Sequence, residues 1–403
     1  MKDNRVLVKF TLLFISSLGA LSGAIIAPAL PRIRLIFQEN PDAELLSRLL
    51  VTFPALLITL ASPSIGRLMD RYGRKKFLLF ALLIYALGGT SGLYLNDLYS
   101  LLAGRALLGA GIAGVITAVI TLAGDYYSGK ERNDFLGQQS AFMGMGGVVF
   151  VGLGGLLADI HWRAPFYAYG LSLIFAIPAF LILKEPKITP NPTGKNDPRG
   201  GIRVGLLFVI LFSAFFSMAM FFLIPVQIPF LVQELGREKS VYSGLALMCA
   251  TSSAALSALN YRRLRSHLSF EMIICIAHVV MGLGFFIAGT SSSYGALLPG
   301  LVLSGIGAGM LMPNMSSWII SLAPPEVRGR LVGRLSAMTF LGQFASPLFA
   351  EPLRLLSSTK GIFLYSSAFL SLSAIWTAFL ALRNRKRANA ASLNAREIRP
   401  PEG

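Results

Sequence analysis

Apolar runs of about 18–28 residues recur along this chain, each as long as a helix needs to cross a hydrocarbon core of about 30 Å. Twelve can be drawn, at 8–30, 45–65, 76–95, 98–123, 138–158, 164–184, 203–231, 241–259, 271–290, 294–322, 332–355 and 361–382. Backbone groups in hydrocarbon have no water to bond, so such runs must be helical. The fold expected is an all-α membrane protein with twelve transmembrane helices. Composition agrees: 14% of the residues are charged, where a soluble domain carries about 25%. The first run is too long for a secretory signal and leads into no soluble domain, so it is span 1.

A net charge of +17 would suit nucleic acid if it lay on a soluble basic face. Here it lies in loops. With the N-terminus inside, about three-quarters of the 36 Lys and Arg fall on the cytoplasmic side, as the positive-inside rule requires. The expectation is a multi-pass protein of the cell inner membrane, both termini cytoplasmic, bound by lipid and not by nucleic acid. Cys249 and Cys275 both sit inside apolar runs and read as small core residues, with no disulfide framework, metal motif or cofactor site.

An internal repeat organises the chain. Shifted by 196 residues without a gap, Leu101, Leu102, Gly104, Leu107, Gly109 and Gly111 fall on Leu297, Leu298, Gly300, Leu303, Gly305 and Gly307. Arg132, Gly137, Ser140, Ala141 and Gly146 fall on Arg328, Gly333, Ser336, Ala337 and Gly342 at the same offset. Spans 4–5 therefore correspond to spans 10–11. The chain divides into a six-helix bundle (1–184), a polar linker (185–202), a second six-helix bundle (203–382) and a basic tail (383–403) expected to be disordered.

Between spans 2 and 3 runs Gly66-Arg67-Leu68-Met69-Asp70-Arg71-Tyr72-Gly73-Arg74-Lys75-Lys76. Five cations in this stretch force the chain to the surface. As Gly-x-x-x-Asp-Arg-x-Gly-Arg-Lys it resembles the loop between helices 2 and 3 of the major facilitator superfamily of secondary transporters. Trp162-Arg163-x-Pro165-Phe166, Lys184-Glu185-Pro186 and Pro325-Glu326-x-Arg328-Gly329 look like its bacterial efflux members. The resemblance covers essentially the whole chain and implies two pseudo-symmetric bundles rocking about a midplane site. It also implies an inner gate of Gly66, Asp70, Arg71, Gly73, Arg74 and Asp125, with Asp70 capping helix 11 near Gly329–Leu331 and Arg74 paired with Asp125. The corresponding stretch of the second half, Asn260–Arg265, keeps the charge and loses the acid and the glycines.

Arg105 lies within span 4 and resembles the family's helix-4 arginine, linked to proton transfer or anionic substrates; snorkelling to the outer interface is the alternative. Glu351 lies about 28 Å along span 11 and Asp159 in a similar place on span 5, each a candidate for proton coupling or an interfacial cap. Span 5 carries Gly144, Gly146, Gly147, Gly152, Gly154 and Gly155, with Val151 where family antiporters place proline. Candidates for an adaptable apolar cavity are Met218, Phe221, Phe222 and Gln227 on span 7 and Met310, Asn314 and Trp318 on span 10. His278 on span 9 reads as packing or as a lipid-interface residue.

The function expected is alternating-access transport of a small molecule, with proton-coupled efflux of an amphipathic or drug-like compound by antiport leading. A sugar or organic-anion carrier is the alternative, and a non-transporting receptor or accessory protein that of another class. No nucleophile–base set appears at the midplane, so no enzyme activity is expected. Substrate, protons and lipid are the partners expected of a monomer.

Overall fold

Each apolar run becomes helical, and ten of the twelve helices overshoot their run at one or both ends. The structure, a computed structural model, describes residues 2–186 and 204–397, with the side chains of 2–4, 63, 70, 133, 204, 325, 326 and 384–397 outside that description. In chain order the helices are α1 (Lys2–Ala24, resuming as Leu30–Ile36), α2 (Ala43–Tyr72), α3 (Arg74–Gly89), α4 (Leu98–Tyr126), α5 (Gly129–Ile160) and α6 (Ala164–Tyr167, then Leu171–Ile182). The second set is α7 (Val204–Glu234), α8 (Ser240–Arg265), α9 (Phe270–Thr290), α10 (Tyr294–Leu322), α11 (Pro325–Leu356) and α12 (Thr359–Glu397). Among the described residues, eleven spans are long and apolar enough to cross a membrane. The exception is α11, whose uncharged stretch between Arg334 and Glu351 carries Thr339, Gln343 and Ser346 on a helix packed against α2 and α7.

Local chemistry sets the ends. The Asp97 carboxylate accepts from Ser100 N–H at 2.9 Å and caps α4; the Ser100 hydroxyl and N–H hold that carboxyl below its ordinary range. Ser269 and Ser293 cap α9 and α10 in the same way. Prolines at 28 and 31 interrupt the first span, where Ala27–Ala29 tightens to a 3₁₀ turn. Two expectations are corrected. Helix α11 begins at Pro325, because a proline is welcome in a first turn. Helix α12 runs unbroken through the basic segment to Glu397, since Ala, Arg, Leu and Lys are strong helix formers. The linker expected at 185–202 lies outside the described residues beyond Pro186.

Packing follows the repeat. Helices α3 and α4 cross so closely that a Cβ on Gly88 would lie 2.8 Å from Gly104 O, and α9 leaves Gly284 no room for one against Gly300 on α10. Those two glycine pairs are related by the 196-residue offset. Close crossings of this kind suit membrane helices, where dispersion contacts replace the hydrophobic drive. The first six helices pack on one another, as do the last six, and the two sets meet along two long seams, α2 with α11 and α5 with α8.

Among the described residues the seams close at one end. Opposite the 66–76 turn they are joined by side chains and glycines described below. At the turn's own end, built Cβ atoms on Gly66, Gly137, Gly329 and Gly333 meet nothing within 4 Å. Arg328, Arg330 and Arg334 of α11 are exposed there, as are Arg67, Leu68 and Arg71 of α2. Among the described residues the turn face is the open end and the far face is shut.

Candidate functional site

A single residue connects α2 to α3. Gly73 takes φ +91°, a conformation that costs other residues, and lets the cation-rich turn close without a loop. Glu185, at the exit of α6, then accepts from the N–H groups of Arg74 at 2.5 Å and Lys75 at 3.1 Å. It satisfies two of the free donors that open α3. Lys75 Nζ donates to Phe180 O at 2.7 Å, fastening the same helix to α6. Arg74 forms an ion pair with Asp125 at the end of α4. Gly73, Arg74, Asp125 and Glu185 thus converge. Gly66 borders open space and Arg71 is exposed over the Tyr72 ring; the Asp70 side chain lies outside the described residues.

Arg105 is fully buried and does not snorkel. Its guanidinium lies 4.8 Å from the ring centroids of both Phe166 and Tyr169 and donates to the Tyr169 hydroxyl at 2.8 Å. That hydroxyl donates to Ser22 O at 2.7 Å. Ring faces and a chain of two hydrogen bonds therefore replace solvent around the cation, and α4, α6 and α1 are tied where α1 nears its break. At the far face Arg163 donates to Gly92 O, to Leu95 O at 2.9 Å and to Asn96 Oδ1 at 2.6 Å, pinning the α3–α4 turn.

Between the two sets of helices lies a cavity of about 230 Å³. Ser22 and Gly23 of α1, Ile58 of α2, Ile112 and Ile116 of α4, and Met143 and Gly147 of α5 form one wall. Phe221, Phe222 and Pro225 of α7, Thr251 of α8, and Phe340 and Gln343 of α11 form the other. A second cavity of about 210 Å³ shares Phe221 and adds Ser217, Met218, Met312 and Met315. Neither lining contains Asp, Glu, Lys, Arg or His. Of the residues expected here, Met218, Phe221 and Phe222 line these spaces. The α10 candidates face inward to their neighbours: Asn314 donates to Phe270 O and accepts from Tyr261, Trp318 stacks on Phe270, and Met310 is buried. Gln227 is fully buried in α7 and lines neither cavity. Apolar periodicity cannot separate a helix face that meets a cavity from one that meets another helix. The amide that does line the cavity is Gln343, just ahead of Pro347.

Asp159 and Glu351 stand at the far face. Asp159 Oδ1 accepts from Ser240 N–H at 2.6 Å and from Arg32 at 3.0 Å, and Oδ2 from Val241 N–H at 3.0 Å. Glu351 lies 2.7 Å from Arg354 and 3.5 Å from Arg48, which also pairs with Glu44 at 2.6 Å. His278 is fully buried between the hydroxyls of Ser217 and Ser373, at 2.9 and 3.0 Å. It is a packing residue, away from the lipid interface.

The family model described as Major Facilitator Superfamily matches residues 12–347 and 210–401. The chain belongs to the major facilitator superfamily. Among the relatives in this superfamily, the class H tetracycline resistance protein of Pasteurella multocida is 28% identical over 84% of this chain and 86% of its own length. The bacillibactin exporter of Bacillus subtilis (strain 168) is 24% identical over 84% and 88%. Solved structures share the fold: the D-xylose–proton symporter superposes with a TM-score of 0.77 over 92% of this chain and 97% of its own, at 13% identity. A bacterial homologue of the human lysosomal transporter Spinster gives 0.77 over 95% and 98%, at 17% identity. The chain is thus an integral multi-pass transporter of the superfamily, built from two pseudo-symmetric bundles around a central cavity.

Proposed function

We propose that the protein exports an uncharged or amphipathic drug-like molecule across the cell inner membrane, in exchange for protons, by alternating access. The observation that carries this reading is the central cavity. It lies between the bundles and is walled by aliphatic, aromatic and thioether groups without one ionisable side chain. Such a wall suits apolar ligands of varied shape, with Gln343, Ser22 and Thr251 available to orient a polar edge. A sugar would want a denser set of amides and indoles than this lining offers. The exporters and resistance proteins among the relatives support the outward direction. The positive-inside rule places the turn face and both termini in the cytoplasm, so the end of the seams that is open among the described residues faces the cell interior.

At the turn face, Gly66, Asp70, Arg71, Gly73, Arg74 and Asp125 act as the inner gate, Arg74–Asp125 holding α3 to α4. Arg105 is the charge through which the first bundle responds to coupling. The test is flux in proteoliposomes of a panel of neutral and amphipathic solutes under an imposed pH gradient. Acceleration by the gradient is expected, with loss of flux in Asp70→Asn. Flux indifferent to the gradient would make the protein a uniporter, and no flux for any solute would end the transport reading.

A further inference from the structure

The far face is shut at two places, and the repeat relates them. At the 196-residue offset Gly155 falls on Glu351, and Arg48 falls on Gly244. Both pairs are contacts. In the α5–α8 seam, a Cβ on Gly155 would lie 3.2 Å from Gly244 Cα, so the two backbones touch. In the α2–α11 seam the same crossing point is occupied by Arg48 and Glu351. One seam is closed by the absence of side chains and the other by an ion pair.

Each crossing carries a carboxylate that reaches from one bundle to the other. Asp159, at the end of α5, has its oxygens filled by two N–H groups of the first turn of α8, with Arg32 of α1 holding it from behind. Glu351, near the end of α11, faces Arg48 one turn into α2. Arg48 is 1% exposed and sits 4.6 Å above the Phe230 ring of α7. The charged groups facing this second point are Arg34 and Glu44, paired at 2.9 Å, with Arg48, Arg354 and Glu351. These carboxylates are half-buried and the arginine is buried: separating the bundles would leave the first N–H groups of α8 without Asp159 and the buried Arg48 without its second acid. The turn-face motif shows no counterpart of this arrangement in the second half, whereas the far-face contacts occur in both.

We infer that Asp159 and Glu351 are latches of the far gate at two pseudo-equivalent crossings, the bonds of one to α8 and the ion pair of the other with Arg48 setting how readily the cavity opens away from the turn face. The inference rests on the alternating-access reading above. Its test reads conformation rather than flux, so the two can fail separately.

Spin labels at Ile160 with Glu238, and at Pro41 with Leu355, all exposed positions, report the two seams in liposomes by pulsed dipolar distance measurement. The variants are Asp159→Ala, Glu351→Gln and the double. Each single variant is expected to raise the ratio of long to short far-face distances roughly fivefold or more, the double by about the product of the two, as independent sites should. A label pair within one bundle should not move, and Glu39→Gln, an exposed acid outside both latches, should leave the distances unchanged. Distance distributions in the folded double variant that match the parent would overturn the inference, as would a melting-temperature loss without a distance change. Shifted distances in a protein that moves no solute would keep the latches and remove the transport reading. Gradient-driven flux with unmoved distances would do the reverse.

Discussion

Arg105 is held by ring faces and one phenol, and among the described residues no carboxylate pairs with it. Its planar guanidinium can lie against two rings and donate at the same time, which an ammonium cannot. Arg105→Lys is therefore expected to lower flux at least tenfold with the protein still folded, measured in proteoliposomes beside a thermal melt. Tyr169→Phe removes both a donor and an acceptor from the chain Arg105–Tyr169–Ser22 and should cost about 1 kcal/mol or more, seen as a lower melting temperature. That Arg105 lies inside a span is legible in the sequence because a cation within an apolar run stands out. Arg48 is equally legible at the start of the second run, where Glu44 one helical turn before it is the signal that marks a paired charge. The Phe166 and Tyr169 cage was not visible, since nothing in a linear pattern shows which rings converge from another helix.

At the scale of the element, glycines decide where helices can touch. Gly73→Ala would force a side chain into a left-handed backbone and bring its Cβ within 3.1 Å of the Glu185 carboxyl. The expected result is a loss of about 1 kcal/mol or more, measured by unfolding in detergent, with Glu185→Gln milder because its oxygen still accepts. Gly155→Leu should wedge α5 from α8, since even a Cβ there meets Ser240 O at 2.9 Å. Labelling of a cysteine placed at Thr251 in a cysteine-free background, by a membrane-impermeant thiol reagent from outside the cell, should rise. Helix positions could be read from the apolar runs because length and polarity are local properties. Their true ends could not, since α2 and α11 continue through charged residues that leave the hydrocarbon. The Glu185 cap was hidden for a similar reason: it reaches α3 from 111 residues away in sequence.

For the molecule as a whole, the lack of ionisable groups in the cavity has a measurable selectivity. A permanently cationic analogue must shed water with no counter-charge to receive it, so a neutral substrate is expected to move at least tenfold faster than its quaternised derivative at equal concentration. Equal rates would place the ligand elsewhere. The two-bundle plan could be read from the 196-residue repeat, which needs nothing but register. The side of the molecule that is closed could not, because both states of a rocking protein share one sequence.

Glu185 is also the last but one described residue before the stretch that leads into the second bundle. The chain therefore leaves the first bundle from the very carboxylate that tethers α3. A pull transmitted along the polypeptide between the bundles would arrive first at that tether, then pass through Gly73 to α2, whose other end carries Arg48. Mechanical traffic between the molecule's two ends has a covalent route as well as a packed one.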